Sequence, residues 1–524
     1  MLATVLSATL HGLDGRVIRV EVDVAPGLPG FTIVGMADAA LQEARERVRG
    51  AIRNAGFAYP PRRITANLAP AELRKAGASV DLAIAVGILL GSEQVRPGGG
   101  RLAFVGELSL GGEVRSVPGI LPMVAAIARR GLRRVVVPAE AADEARLVTG
   151  IDIVPVATLA AAIDVVRSSR SRRTPAAVPA RVDAAGADGP GSMGVAAIAF
   201  PGPHVPDLAE VRGQLEARRA LEIGLAGGHG LILVGPPGSG KTLLARTIPG
   251  LLPPLDDEAA LSATVIASAS GIGPVRSLVR RPPFRSPHHT ISYAGMVGGG
   301  PRMSPGEVTL ADHGVLFLDE LPEFGRDVLE ALREPLEEGR VAISRVGRAT
   351  TFPARFQLVA AMNPCPCGLA GSEPGLCRCA DRVPERYTAR ISGPLRDRID
   401  LWVTMPRVPA AAIVTGGPPE GSEAVARRIR DARARQVARP QRRLNGRVSG
   451  RALRAACAMD GAAERRAIEL AEMERLSGRG TERLLRVART IADLAAGETV
   501  GVEHLEEAAS YRSPASRLDV RMAG

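Results

Sequence analysis

Apolar and polar residues alternate at period two along Val17-Ile18-Arg19-Val20-Glu21-Val22-Asp23-Val24, which predicts a strand with one buried face. The period then lengthens. Over 37–55, Leu41, Ala44, Val48 and Ile52 recur at helical spacing and predict an amphipathic helix. Ile64 to Leu68 reads as another strand, Val80 to Leu90 as an apolar helix, and Val135-Val136-Val137 as a buried strand. This alternation predicts an α/β domain over 1–166. Residues 168–194 hold Ser, Arg, Pro, Ala, Gly and Asp with almost no large apolar side chain, so a flexible linker is placed at 167–195.

Beyond the linker the pattern becomes specific. Leu215 to Leu225 predicts a helix, and the apolar run Leu231-Ile232-Leu233-Val234 a strand. That strand ends in Gly235-Pro236-Pro237-Gly238-Ser239-Gly240-Lys241-Thr242, and Leu243-Leu244-Ala245-Arg246 reads as the first turn of a helix. Strand, glycine-rich loop, helix is the context a G-x-x-x-x-G-K-[ST] match requires. Glycines let backbone N–H groups curl around an anion, and the helix N-terminus adds unpaired donors. Lys241 is expected to reach the β- and γ-phosphates of ATP, and the Thr242 hydroxyl to ligate Mg²⁺.

Val315-Leu316-Phe317-Leu318 is a second apolar run, ending in Asp319-Glu320. After a phosphate loop this reads as a Walker B strand. Asp319 is expected to hold Mg²⁺ through its water shell, and Glu320 to polarise the attacking water as a general base. A third run, Gln357 to Ala361, leads to Met362-Asn363, where the Asn363 amide can hold the water or the γ-phosphate from the other side. Between the second and third runs, 338–350 reads as a β-hairpin turning near Val346-Gly347, with Arg345 and Arg348 beside the turn.

Composition narrows the partners. At 524 residues the chain exceeds one hydrophobic core, and 46% hydrophobic with 23% charged residues is ordinary for globular domains. No apolar run reaches the ~18 residues of a membrane span. No secretory leader is read at the N-terminus, so the expected location is cytoplasmic, with no membrane partner. The net charge of +12 suits a polyanion such as DNA, although arginine-rich composition alone produces the same excess: only Lys75 and Lys241 are lysines. One Trp and 3% aromatic residues argue against base-stacking platforms. The stretch 427–454 carries eleven arginines and one acid, Asp431, and reads as a solvated helical surface, with nucleic-acid contact as the alternative. Four of the five cysteines, Cys365, Cys367, Cys377 and Cys379, fall within 365–379. Four thiolates suit tetrahedral Zn²⁺, while free thiols in a loop are the alternative. Cys457 is expected to be a lone core thiol. His288 and His289 are placed on an insert of the ATPase, with metal ligation elsewhere as the other option.

Several segments resemble known families. Gly77-Ala78-Ser79 before an apolar helix, followed by 106–114, resembles the Lon-protease (ribosomal S5 domain 2-like) domain, whose dyad is Ser and Lys. Ser79 matches the Ser, but Leu121 stands where the Lys would be, so the domain reads as non-proteolytic and Ser79 as a helix N-cap. The second half resembles an AAA+ P-loop NTPase core with a parallel sheet over 196–410, and a magnesium-chelatase-type α-helical C-terminal lid over 420–515. The resemblance implies a sensor-1 role for Asn363. It also implies an arginine finger at Arg398, with Arg390 and Arg396 as fallbacks, and a sensor-2 arginine at Arg483, with Arg486 second. In this family the finger acts across subunits, so the resemblance implies a homo-oligomeric ring of hexameric type. The hairpin arginines Arg345 and Arg348 would meet DNA phosphates in the pore, as in MCM helicases.

The run Phe284-Arg285-Ser286-Pro287-His288-His289-Thr290, then Val297-Gly298-Gly299-Gly300 and Pro305-Gly306-Glu307, resembles the YifB/ComM family of magnesium-chelatase-like ATPases across nearly the whole chain. The resemblance implies a hexameric DNA helicase driving branch migration of single-stranded or branched DNA during natural transformation. A metal-insertion motor of the chelatase type is the alternative. Against it stand the Lon-like N-terminal domain and the lack of an Asp-x-Ser-x-Ser segment. A Lon-like protease is the third possibility, opposed by Leu121.

Overall fold

The computed structural model describes residues 1–35, 39–70, 77–168, 205–300, 303–345, 348–370, 376–414, 417 and 419–512. The expected linker lies almost wholly outside them. The chain divides into two units: Met1–Phe200 with Ala260–Val279 and Pro301–Ser304, and Pro201–Ala259 with Arg280–Gly300 and Pro305–Gly524.

In the first unit the period-two stretch belongs to a longer strand, Asp14–Ala25, with Ile18, Val20, Val22 and Val24 buried. It pairs antiparallel with Leu2–His11 on one side and Arg63–Ala69 on the other. Gly30–Val34 extends the sheet parallel beyond Arg63–Ala69. Ala103–Phe104, Arg134–Pro138 and Asp152–Val156 follow in parallel on the opposite side. The helix Ala39–Asn54 buries Ala44, Val48 and Ile52, as its spacing predicts. Glycine is required at Gly15, where a Cβ would stand 2.0 Å from the Pro122 carbonyl oxygen.

Ser79 is not the N-cap that its position suggested. The helix runs Asp81–Gly91 with Val80 at the N-cap and no side-chain cap. The Ser79 hydroxyl instead donates to the Ala8 carbonyl at 3.1 Å. The acceptor lies on the strand Leu2–His11, 71 positions earlier in the chain. Leu121 is buried in the helix Ile120–Arg129, and its N–H donates to Glu144 at 2.9 Å.

The second unit holds a five-stranded parallel sheet. Its spatial order is Phe284–Arg285, Val315–Leu318, Gln357–Met362, Leu231–Val234, Leu401–Thr404. Strands covered on both faces read as unbroken apolar runs, which is why their sequences stand out. One core joins Leu231, Leu233 and Val359 to Ile429, Leu484, Ile491 and Leu505 of the helices Ser422–Ala438, Gly478–Leu494 and Val502–Ser510.

The arginine-rich run is less of a solvated surface than expected. Arg433 donates twice to the Leu225 carbonyl, at 2.9 and 2.6 Å, and Arg435 donates to the Asp493 carbonyl at 2.9 Å. Arg439 pairs with the Asp493 carboxylate, and Arg428 with Glu222 and Glu420. The last carbonyls of a helix lack intrahelical partners. Leu225 lies in the last turn of Leu215–Gly227 and Arg433 satisfies its carbonyl, while Arg435 is a second donor to the Asp493 carbonyl, which also accepts Ala496 N–H at 3.2 Å.

The hairpin forms from Arg340–Arg345 and Arg348–Pro353, antiparallel, with Arg345 opposite Arg348 in register. Val341 and Phe352 anchor its base in the core. The side chains of Arg345 and Arg348, and the turn at 346–347, lie outside the described residues. No described helix is long and apolar enough to cross a membrane.

Candidate nucleotide-binding site

The phosphate loop leaves the strand Leu231–Val234 between two neighbours. Gly235 N–H donates to the Met362 carbonyl at 3.1 Å, and Met405 N–H to the Val234 carbonyl at 2.7 Å. A Cβ on Gly235 would sit 2.3 Å from the Met405 oxygen, so the loop exit admits only glycine. Gly238 and Gly240 take positive φ of 78° and 92°, with nothing within 4 Å of where a Cβ would be. The helix Lys241–Arg246 begins directly after.

Lys241 is 8% exposed, and its ammonium donates to Gly235 O at 2.7 Å, Pro236 O at 2.9 Å and Asn363 Oδ1 at 3.2 Å. Burial pulls its pKa below the usual lysine value, while Asp319 and Glu320 pull it back up. Thr242 Oγ1 donates to Asp319 Oδ2 at 2.7 Å. Loop, Walker B acid and Asn363 thus meet at the ends of three adjacent strands. Ser239 Oγ is buried without a hydrogen-bond partner. A buried ammonium, a hydroxyl beside a carboxylate, an unpartnered hydroxyl and open space over two glycines fit a polyphosphate with Mg²⁺. Lys241 and the loop N–H groups would hold the phosphates, and Thr242 and Asp319 the ion, which would neutralise phosphate charge when bound.

Two contacts in this site are not given by the sequence, although His289 itself stands out in it. Gln214, at φ 52°, donates to Ser239 O at 3.1 Å and Pro406 O at 2.6 Å, bracing the loop from beneath. His289 Nδ1 lies 3.3 Å from Glu320 Oε2, with the His288 ring 4.1 Å from its own. The His pair therefore reaches the Walker B acid. Glu320 itself is half exposed and takes a left-handed φ of 53°. The family-like segments around it also meet: Arg285 makes two 2.7 Å hydrogen bonds to Glu307.

The arginines are placed less directly. Arg398 is 13% exposed and pairs with Glu337 and the Pro394 carbonyl of its own chain. Arg390 bonds Glu323 at 3.0 Å and Pro322 O at 3.2 Å, just past Glu320. Arg483 donates to Ile399 O at 3.3 Å and Asp397 at 3.4 Å, and shares a cavity of about 210 Å³ with Arg396 and Arg512. Arg486 donates to Gly446 O at 3.0 Å. Neither Arg398 nor Arg483 shows a hydrogen bond to the phosphate loop among the described residues.

The four clustered cysteines come together. The Cys365, Cys367, Cys377 and Cys379 sulfurs all lie within 4.8 Å of one another. N–H groups of Arg378 and Leu369 hold the Cys367 thiol down to about 6. Cys457 stands apart, buried, its Sγ 3.7 Å from the Leu485 carbonyl.

Comparison with known proteins adds three family matches. Residues 207–413 match "Magnesium chelatase, subunit ChlI", residues 20–141 "Subunit ChlI of Mg-chelatase", and residues 419–512 "Magnesium chelatase, subunit ChlI C-terminal". An uncharacterized protein of Mycobacterium tuberculosis is 42% identical over 98% of this chain and 99% of its own length. The uncharacterized protein YifB of Escherichia coli is 41% identical over 96% and 95%. The competence protein ComM of Haemophilus influenzae is 39% identical over 98% and 97%. The match over 20–141 carries the chelatase name, so an N-terminal domain does not by itself separate a DNA motor from a chelatase motor.

Proposed function

The chain belongs to the YifB/ComM family of magnesium-chelatase-like proteins, and from that premise we propose that it is an ATP-driven DNA motor, a hexameric branch-migration helicase acting in recombination or natural transformation. Membership of that family speaks for ATPase activity with ATP and Mg²⁺. The convergence of Lys241, Thr242, Asp319 and Asn363 carries the proposal of hydrolysis. Lys241 binds and orients the phosphates, Glu320 takes the proton of the attacking water, and Asn363 holds that water or the γ-phosphate. Arg398 completes the site of a neighbouring subunit and Arg483 serves as sensor 2. DNA runs over the hairpin arginines Arg345 and Arg348. The N-terminal unit is Lon-like without its dyad, the C-terminal helices are the lid, and Cys365, Cys367, Cys377 and Cys379 hold one Zn²⁺.

A competence protein among the relatives favours DNA over other substrates. The chelatase names of all three family matches favour a second reading, a motor that remodels a protein partner for metal insertion. The ATPase rate with Mg²⁺, measured without DNA and with single-stranded, double-stranded or branched DNA, separates them. Stimulation by DNA is expected, greatest with branched DNA. Hydrolysis indifferent to every DNA, with no DNA binding, would favour the partner-remodelling motor.

A further inference from the structure

The cysteine cluster is built into the nucleotide site. The strand Gln357–Met362 delivers Asn363 to Lys241, and two residues later the chain reaches Cys365, which is fully buried. Cys365 closes a tight turn. Its carbonyl accepts Gly368 N–H at 2.9 Å, and its sulfur accepts Ala370 N–H at 3.3 Å. Gly368 holds φ at +79°, and a Cβ there would be 2.4 Å from Cδ and 2.8 Å from Cγ of Pro237. The cysteine turn is thus pressed directly on the proline ring of the phosphate loop. One short segment touches both the lysine and the loop that cradle phosphate.

The sulfur geometry names the ligand. Zinc–sulfur bonds of about 2.3 Å in a tetrahedron place sulfurs about 3.8 Å apart. Cys365 and Cys377 are 3.9 Å apart, Cys367 and Cys377 3.6 Å, and Cys365 and Cys367 3.3 Å. A disulfide would need about 2.05 Å. Soft thiolates select a thiophilic cation, and a closed set of four leaves no open position for catalysis. The sequence over 365–379 is rich in glycine and proline and poor in large apolar residues, so a metal would supply its folding energy.

We propose that Zn²⁺ on Cys365, Cys367, Cys377 and Cys379 is the strut that keeps Pro237 and Asn363 in nucleotide-binding geometry, so that nucleotide affinity depends on this metal. The strut rests on the zinc assignment made with the function above.

The test uses the full-length protein purified without chelator. Its metal is counted, and it is titrated with a fluorescent ATP analogue in excess Mg²⁺. A mercurial thiol reagent with chelator then strips the metal, and thiol reductant with Zn²⁺ restores it. About one zinc per chain is expected. Stripping should weaken nucleotide binding at least about tenfold, or about 1.4 kcal/mol, and reloading should restore it. Gly368→Val keeps all four ligands but intrudes on Pro237. It should retain zinc, at some cost in thermal midpoint from the strained backbone, and bind nucleotide more weakly. Cys377→Ser should lose both metal and affinity. No zinc, with four freely titrating thiols, overturns the metal site and the strut with it. Zinc present, but affinity unchanged by stripping and by Gly368→Val, overturns the strut and leaves the zinc and ATPase assignments standing. Zinc-loaded protein that binds no nucleotide overturns the ATPase assignment and the strut together.

Discussion

The three N–H bonds of the Lys241 ammonium are all engaged, by two loop carbonyls and Asn363. The ammonium therefore has little freedom, and its replacement leaves no cation to meet phosphate. Lys241→Ala should weaken ATP binding by about 1.5–3 kcal/mol for each charged hydrogen bond removed, read by nucleotide titration. Glu320→Gln should bind ATP normally and turn over about 10²- to 10⁴-fold more slowly, the usual worth of a general base. Full turnover in that variant would remove Glu320 from the chemistry. The lysine, the threonine and both acids can be located from the sequence because each sits at a fixed offset from an apolar strand. The contacts of His289 and Gln214 cannot. His289 meets Glu320 across 31 positions, where Glu320 is left-handed, and Gln214, itself left-handed, reaches Ser239 from just before its helix. Neither conformation has a hydrophobic signature. The N-cap reading of Ser79 failed for a related reason: an acceptor on another strand, invisible to local pattern, captured its hydroxyl.

At the scale of elements, Asp14–Ala25, Arg63–Ala69, Arg134–Pro138, Leu231–Val234, Val315–Leu318 and Gln357–Met362 are legible to within a few residues as alternating or unbroken apolar runs, whereas Leu2–His11, Gly30–Val34 and Leu401–Thr404 are not read from the sequence. The roles of the arginines on Ser422–Ala438 are not legible either, since a composition count cannot show which carbonyls they face. Arg433 faces the end of Leu215–Gly227, so Arg433→Ala should strand the Leu225 carbonyl and cost about 1–3 kcal/mol in thermal or denaturant unfolding. An unchanged midpoint would mean that water replaces the guanidinium there. The hairpin gives the opposite expectation. Its base is fixed by Val341 and Phe352, while Arg345 and Arg348 are paired in register at its far end. Arg345→Ala with Arg348→Ala should spare stability and basal ATPase and abolish stimulation by DNA. The salt dependence of DNA binding should flatten by a slope of about one for each phosphate no longer neutralised. Unchanged DNA binding and salt slope would take DNA off the hairpin.

At the scale of the whole molecule, the matter turns on what completes the site beside Glu320. Within its own chain Arg398 is held by Glu337, which also lies 3.7 Å from Arg479. An arginine that only fastens this corner and an arginine that serves a neighbour make different predictions. If Arg398 is a fastener, Glu337→Gln and Arg398→Ala break the same pair and should impair the enzyme alike. If it acts on the neighbour's γ-phosphate, Arg398→Ala should abolish hydrolysis while nucleotide still binds. Glu337→Gln should then keep activity, because the guanidinium survives and is freed. Mixing decides whether the action crosses subunits. Lys241→Ala and Arg398→Ala chains, each inactive alone, should recover partial ATPase together, since some interfaces then pair an intact loop with an intact arginine. Co-assembly confirmed by size, yet without recovery, would confine Arg398 to its own chain and remove the reason for a ring to be needed for hydrolysis.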